Sequence, residues 1–305
     1  MRIVSLVPHA TELLFALGLG DEVIAVTHEC DHPPRARELA QVTRDALPAG
    51  LSSGELDAAV RERTQRGEAI YELDHRLLSE LEPELIVTQA LCPVCAVSYE
   101  DVAAVAAAMP NPPRLLALDP HTLEETLQDV RTVAEATGRR ERGLSLVASS
   151  AARIDSVRVA LRGSRRPRVA ALEWLDPVFL AGHWTPQLIE LAGATDVLGR
   201  AGESSRQSSW ESVAAARPEV VIVMPCGYDA ARAHQEALAF GAQLAALGAE
   251  RVIAVDAAAY FSRPGPRLID GLELLAGLLH PDRFGQAPAG GLEVALGANA
   301  GAAGG

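Results

Sequence analysis

Aromatic side chains make up only 4% of the 305 residues, and cationic side chains are outnumbered 27 to 40 by acidic ones. No apolar run approaches the ~20 residues that cross a bilayer. The formal net charge of -13 argues against a nucleic-acid groove or an anionic membrane surface as partner, and favours a neutral or cationic small molecule. Four cysteines are too few, and too widely spread, to staple a domain of this length. The chain also lacks a glycine-rich phosphate loop followed by Lys-Ser/Thr, a G-x-S-x-G elbow and an H-E-x-x-H helix, which points away from the common enzyme classes. Met1-Arg2 leads straight into Ile3-Val4-Ser5-Leu6, with no leader-like segment ahead of it. The expected location is therefore cytoplasmic if Met1 is native, and periplasmic or cell-surface if a leader was removed.

What is present is ordinary globular material, 49% hydrophobic and 22% charged, in a length that suits two domains. Short apolar runs alternate with helical stretches, the signature of a mostly parallel sheet with helical crossovers. The pattern predicts strands at 3–6, 23–26, 85–88 and 114–118, then at 168–172, 220–223 and 252–255. The halves echo one another: Leu81-Glu82-Pro83-Glu84-Leu85-Ile86-Val87 is similar to Ala216-Arg217-Pro218-Glu219-Val220-Val221-Ile222. Between them, Val147, Ala151, Ile154, Val157 and Leu161 recur at three- and four-residue steps. A helix over 141–162 would extend about 33 Å, enough to join two lobes as a stiff strut. The fold class expected is α/β: two Rossmann-like lobes joined by a long rigid interlobe helix, with a ligand cleft between them. The boundaries expected are 1–121 for the first lobe, 122–166 for the helical segment, 167–284 for the second lobe and 285–305 for a disordered tail.

The opening Arg2-Ile-Val-Ser-Leu-Val-Pro-His-Ala-Thr-Glu-Leu-Leu-Phe-Ala-Leu-Gly, with Val26-Thr-His-Glu-Cys-Asp-His-Pro-Pro and Phe261-Ser-Arg-Pro-Gly-Pro-Arg, resembles cobalamin-binding proteins of ABC importers. These belong to the helical-backbone class of solute-binding proteins, which also carries siderophores, haem and metal ions. The resemblance implies a cobalamin or related corrinoid as ligand, held by strand-to-helix loops, and an ABC permease as partner. It also implies that one exposed glutamate per lobe docks on permease arginines; by position these are Glu100 and Glu211, although a carboxylate in a first helical turn is equally favoured by the helix dipole.

The loops beyond the carboxyl ends of parallel strands form the natural crevice, and unusual residues fall there. Candidate ligand contacts are Pro8, His9, His28, Cys30, Trp174, His183, Trp184, Tyr228, Tyr260, Phe261 and Arg263. Large rings suit a flat macrocycle, with lobe-core packing as the competing reading. Cys92, Cys95 and Cys226 are candidate ligands for a transition metal, since thiolate and neutral imidazole both bind such ions. Cys92-Pro93-Val94-Cys95 suits ligand or metal contact, a redox pair, or a structural role. His75, His234 and His280 are expected to be solvated. The alternative function is a cytoplasmic metal- or corrinoid-dependent enzyme, or a cofactor chaperone, using the same Cys/His-rich cleft.

Overall fold

The structure, a computed structural model, describes residues 1–90, 97–285 and 289–296. The chain divides into two compact units, one of Met1–Pro120 with Glu124–Ser150 and one of His121–Leu123 with Ala151–Gly305. The helical segment thus forms no unit of its own.

Unit 1 runs β1 (Ile3–Ser5), α1 (Pro8–Ala16), β2 (Val23–Val26), a 3-10 turn (Pro34–Glu38), β3 (Ala40–Gln41), β4 (Thr43–Asp45), α2 (Ser53–Gln65), β5 (Tyr71–Leu73), α3 (His75–Glu80), β6 (Leu85–Gln89), α4 (Tyr99–Ala108), β7 (Arg114–Leu118) and α5 (Leu123–Ala136). Its main sheet has the order β3-β2-β1-β6-β7, every neighbouring pair parallel. Successive side chains on a strand face opposite ways, and the core divides accordingly. Ile3, Leu85 and Val87 join Leu13, Leu14, Val130 and Val133 on one face, while Val4 and Ile86 join Leu78, Val102 and Ala106 on the other. A parallel sheet covered on both faces reads as continuous apolar runs, which is why these strands were legible. The strand order reverses between β1 and β6, so the crevice expected of such a sheet lies at their carboxyl ends.

α6 (Arg140–Ala160) begins in unit 1 and ends in unit 2. Its expected apolar stripe is interrupted: Val147, Val157 and Leu161 are buried, whereas Ala151 is exposed and Ile154 half-buried.

Unit 2 continues with β8 (Arg168–Leu175), β9 (Val178–Leu180), α7 (Thr185–Leu191), β10 (Thr195–Asp196), β11 (Arg206–Gln207), α8 (Trp210–Ala215), β12 (Val220–Val223), α9 (Ala230–Ala239), α10 (Gly241–Ala246), β13 (Arg251–Val255), α11 (Ala257–Tyr260), α12 (Leu268–Leu279), α13 (Pro281–Phe284) and β14 (Gly291–Glu293). Its sheet has the order β11-β9-β8-β12-β13-β14, with β10 beside the start of β8. The β8, β12 and β13 core is parallel, and β9, β11 and β14 add antiparallel edges.

Two expectations need correction. Residues beyond 284 are not wholly unstructured, because β14 pairs with β13 and buries Val294 against the unit 2 core. His280 is 5% exposed, with a ring nitrogen 3.2 Å from the Gly193 carbonyl oxygen; it closes the end of the apolar helix α12 rather than facing water. Among the described residues, no helix is long and apolar enough to cross a membrane.

The repeated heptapeptide is repeated structure. Glu82 and Arg217 both adopt left-handed backbone, φ 43° and 47°, ending α3 and α8 ahead of a proline. The Glu84 carboxylate accepts the backbone N–H of Arg2, and the Glu219 carboxylate accepts that of Arg168. The Arg2 and Arg168 guanidiniums in turn donate to the carbonyls that end the preceding helices, Leu81 and Ala216. Each unit thereby satisfies helix-end acceptors that would otherwise be orphaned.

Candidate functional site

In unit 1 the carboxyl edge is built on a buried polar knot. Thr11 Oγ1 donates to Ser5 Oγ at 2.8 Å, and Cys30 Sγ lies 3.1 Å from both Thr11 Oγ1 and Thr27 Oγ1. The knot ties the loop after β2 to helix α1. Pro8 sits at the first position of α1, where its missing N–H costs nothing, and is half-buried. His9 is 3% exposed and Cys30 1% exposed. Cys30 therefore braces the loop from within the core cluster; the expectation that it contacts a ligand is corrected by its burial.

His28 is held in place from several sides. Its backbone N–H donates to Thr43 Oγ1 at 3.2 Å, and its Nδ1 lies 2.8 Å from the same hydroxyl. Its Nε2 lies 3.5 Å from an Asp45 carboxylate oxygen. The Tyr71 ring lies 5.5 Å away, tilted by 48°, and its hydroxyl donates to Glu29. His28, Glu29, Thr43 and Tyr71, with Leu6, Thr27 and Val97, line a cavity of about 10 Å³, room for about one water molecule. A larger recess of about 500 Å³ follows Gln41–Arg44 and Glu72–His75. None of the expected site residues lines it.

In unit 2 the aromatic residues divide into two groups. Trp184, Tyr228 and Phe261 are at most 5% exposed. Trp184 Nε1 donates to the Phe261 carbonyl at 2.8 Å, and Tyr228 packs edge-on against Trp174 with Arg232 over its other surface. For these three the competing reading holds: the rings build the unit's own interior. Trp174, Tyr260 and Arg263 remain half-buried.

Beneath them, Glu173 near the end of β8 accepts hydrogen bonds from Ser205 Oγ and the Gly182 N–H. Burial pushes its carboxyl above the usual range, and those two hydrogen bonds partly oppose the rise. Gly182 is required here, since a Cβ would sit 2.5 Å from both the Glu203 carbonyl oxygen and the Ser205 nitrogen. His183 follows with a left-handed backbone, φ 52°, uncommon for a residue with a side chain. Its ring lies 5.7 Å from that of His121 and 5.4 Å from that of Trp184. Burial lowers the His183 imidazole pKa, and the neighbouring His121 lowers it further. His121 had no signal in the sequence beyond following strand β7.

Cys92 and Cys95 lie outside the described residues. Cys226 is exposed, with its N–H donating to the Glu173 carbonyl at 3.2 Å. Among the described residues, no group of three or more His, Cys, Asp or Glu side chains is placed to hold a metal ion. Glu100 and Glu211 are both exposed, each in the first turn of its helix, α4 and α8. Glu211 is held below the ordinary carboxylate range by its own backbone N–H and by Ser209.

The Periplasmic binding protein family profile matches residues 3–259. The chain belongs to that family. It is 27% identical over 289 residues to a vitamin B12-binding protein of Vibrio cholerae, covering 89% of this chain and 86% of the relative. Over a shorter stretch of 41 residues it is 51% identical to a vitamin B12-binding protein of Pectobacterium carotovorum, 13% of this chain and 15% of that one. Among solved structures, the periplasmic vitamin B12-binding protein of V. cholerae superposes with a TM-score of 0.65 at 23% identity, over 91% of this chain and 96% of that one. A periplasmic haem-binding protein of Pseudomonas aeruginosa superposes with a TM-score of 0.70 at 18% identity, over 96% and 98%. These two likenesses establish a common two-lobed α/β fold.

Proposed function

We propose that this periplasmic binding protein takes a cobalamin-like corrinoid and delivers it to an ABC permease. The observation that carries the reading is the near full-length similarity to a vitamin B12-binding protein, 27% over 89% of the chain. Both units support it by presenting partly accessible groups at the carboxyl ends of their parallel strands. Pro8 and His28 are the contacts proposed in unit 1, and Trp174, His183, Tyr260 and Arg263 those in unit 2. The half-buried rings of Trp174 and Tyr260 offer flat apolar area to a macrocycle. Glu100 and Glu211 are the proposed permease contacts, because both carboxylates are exposed on helix starts.

A metalloporphyrin is the second reading, favoured by similarity to a periplasmic haem-binding protein of Roseiflexus at 26% identity, TM-score 0.61, over 90% of this chain and 96% of that one. Absorbance titrations with cobinamide, cyanocobalamin and haemin separate the two. The expected result is 1:1 binding of a corrinoid, weakened by about 1–3 kcal/mol in Tyr260→Ala. Saturable binding of haemin alone would replace the corrinoid by the porphyrin, and binding of neither would reject the ligand class. Reversing both glutamates to lysine is expected to abolish uptake while leaving ligand affinity unchanged.

A further inference from the structure

His121 and His183 belong to separate stretches of sequence, yet the fold fixes them side by side within unit 2. Both are half-buried, so one side of the pair is accessible. The His183 backbone is clamped at both ends: its N–H donates to the Glu203 carbonyl at 2.6 Å, and its carbonyl accepts from the Gly202 N–H at 2.9 Å. His121 is held through its own segment. Leu123, two residues on, is 3% exposed and donates its N–H to Gln187 Oε1 at 2.9 Å. Thr122 lies beside Gly202, the residue that bonds His183.

We propose that His121 and His183 form a two-imidazole site for a first-row transition-metal ion, with the remaining positions filled by water or by an incoming oxygen or nitrogen donor. The ring spacing agrees with shared ligation. Two imidazoles bound to one tetrahedral ion, with nitrogen–metal bonds of about 2.0–2.1 Å, place their ring centres about 5 Å apart. The observed spacing is 5.7 Å, with the planes 34° apart. Imidazole pairs select zinc, copper, nickel and cobalt over the hard ions magnesium and calcium. Trp184, packed at 5.4 Å from His183, walls off one side of the site. The left-handed backbone of His183 fits a site whose strain is maintained by its surroundings.

The test is titration of the full chain with cobalt(II), followed by calorimetry and by the visible spectrum. One ion per chain is expected, with bands of nitrogen and oxygen ligation and no sulfur-to-metal charge transfer. His121→Gln and His183→Asn should each weaken binding at least about tenfold. Asn is chosen at 183 because it tolerates the left-handed region, and unchanged thermal unfolding of both variants separates lost ligation from lost fold. Cys226→Ser should leave the affinity as it was. Absence of saturable cobalt binding, binding indifferent to both histidine variants, or a thiolate charge-transfer band would each overturn the site. His183 is also a proposed corrinoid contact, so cobalt(II) is titrated without corrinoid and corrinoid binding by the same variants is measured separately; loss of one with the other kept tells the two readings apart.

Discussion

Glu84 and Glu219 perform the same task in different units, each accepting the backbone N–H of the arginine that opens the adjacent strand, at 2.6 and 2.9 Å. They differ in setting. The Glu84 side chain is 63% exposed, and the Glu219 side chain 24% exposed with a second partner in Arg165. Glu219→Ala is expected to cost about 1–2 kcal/mol, since a shielded charge-assisted bond is lost. Glu84→Ala should cost less than about 1 kcal/mol, because water replaces the carboxylate there. Chemical denaturation of both variants checks the order; an equal or reversed loss contradicts it.

Trp184 carries a prediction opposite in kind to that for a ligand anchor. With 5% exposure and its indole N–H on the Phe261 carbonyl, replacement by alanine should destabilise the fold by about 3–5 kcal/mol. The measurement is denaturant unfolding without ligand. A variant of unchanged stability would show that the ring is not structural.

The cysteines should differ in reactivity. Cys226 is exposed, whereas Cys30 is buried among Thr11, Thr27 and the apolar cluster. In native protein, Cys226→Ser should remove one equivalent of fast thiol labelling, and Cys30→Ser should remove none until denaturant is added. Fast labelling at Cys30 would mean that the knot opens readily.

Asp129 supplies a pH dependence. Burial, with Glu125 and Asp119 nearby, pushes its carboxyl up to about 7. The folded chain therefore holds a proton that the unfolded chain releases near pH 4, so stability falls as pH rises from about 4 to about 7. Asp129→Asn removes this penalty. The gain should be complete above pH 7, shrink as pH falls and vanish below about 4. Discounted for partial solvent screening, it is about 1–2 kcal/mol at pH 8. Thermal unfolding from pH 4 to 8 would contradict this if the gain were independent of pH.

How much of this was legible in the sequence depended on whether the signal was local. β2, β7 and β12 stand at the expected residues, because a strand buried on both faces must be apolar throughout. The Pro-Glu repeat exposed the duplication because both copies solve the same helix-to-strand turn. The two-residue strands β3, β10 and β11 are too short to show any periodicity. The direction of a loop side chain was not local either. Trp184 and Tyr260 both sit in turn-rich sequence, yet one is enclosed by its own unit and the other stays half-buried. Cys30 looked like a ligand beside His28, but its neighbours are threonines from two other positions. The partnership of His121 with His183 depends on a fold-level return of the chain that no spacing reveals.

β14 gives the glycine- and alanine-rich end of the chain a protective role. Paired antiparallel along Ile253–Val255, it occupies the hydrogen-bonding edge of an apolar strand that would otherwise invite another molecule to add to it. Arg251 binds Glu293 across the pair and seals the seam with charge. A chain cut after Phe284 would keep both parallel cores but present that edge bare. Such a truncation is therefore expected to self-associate with rising concentration well before it loses its fold.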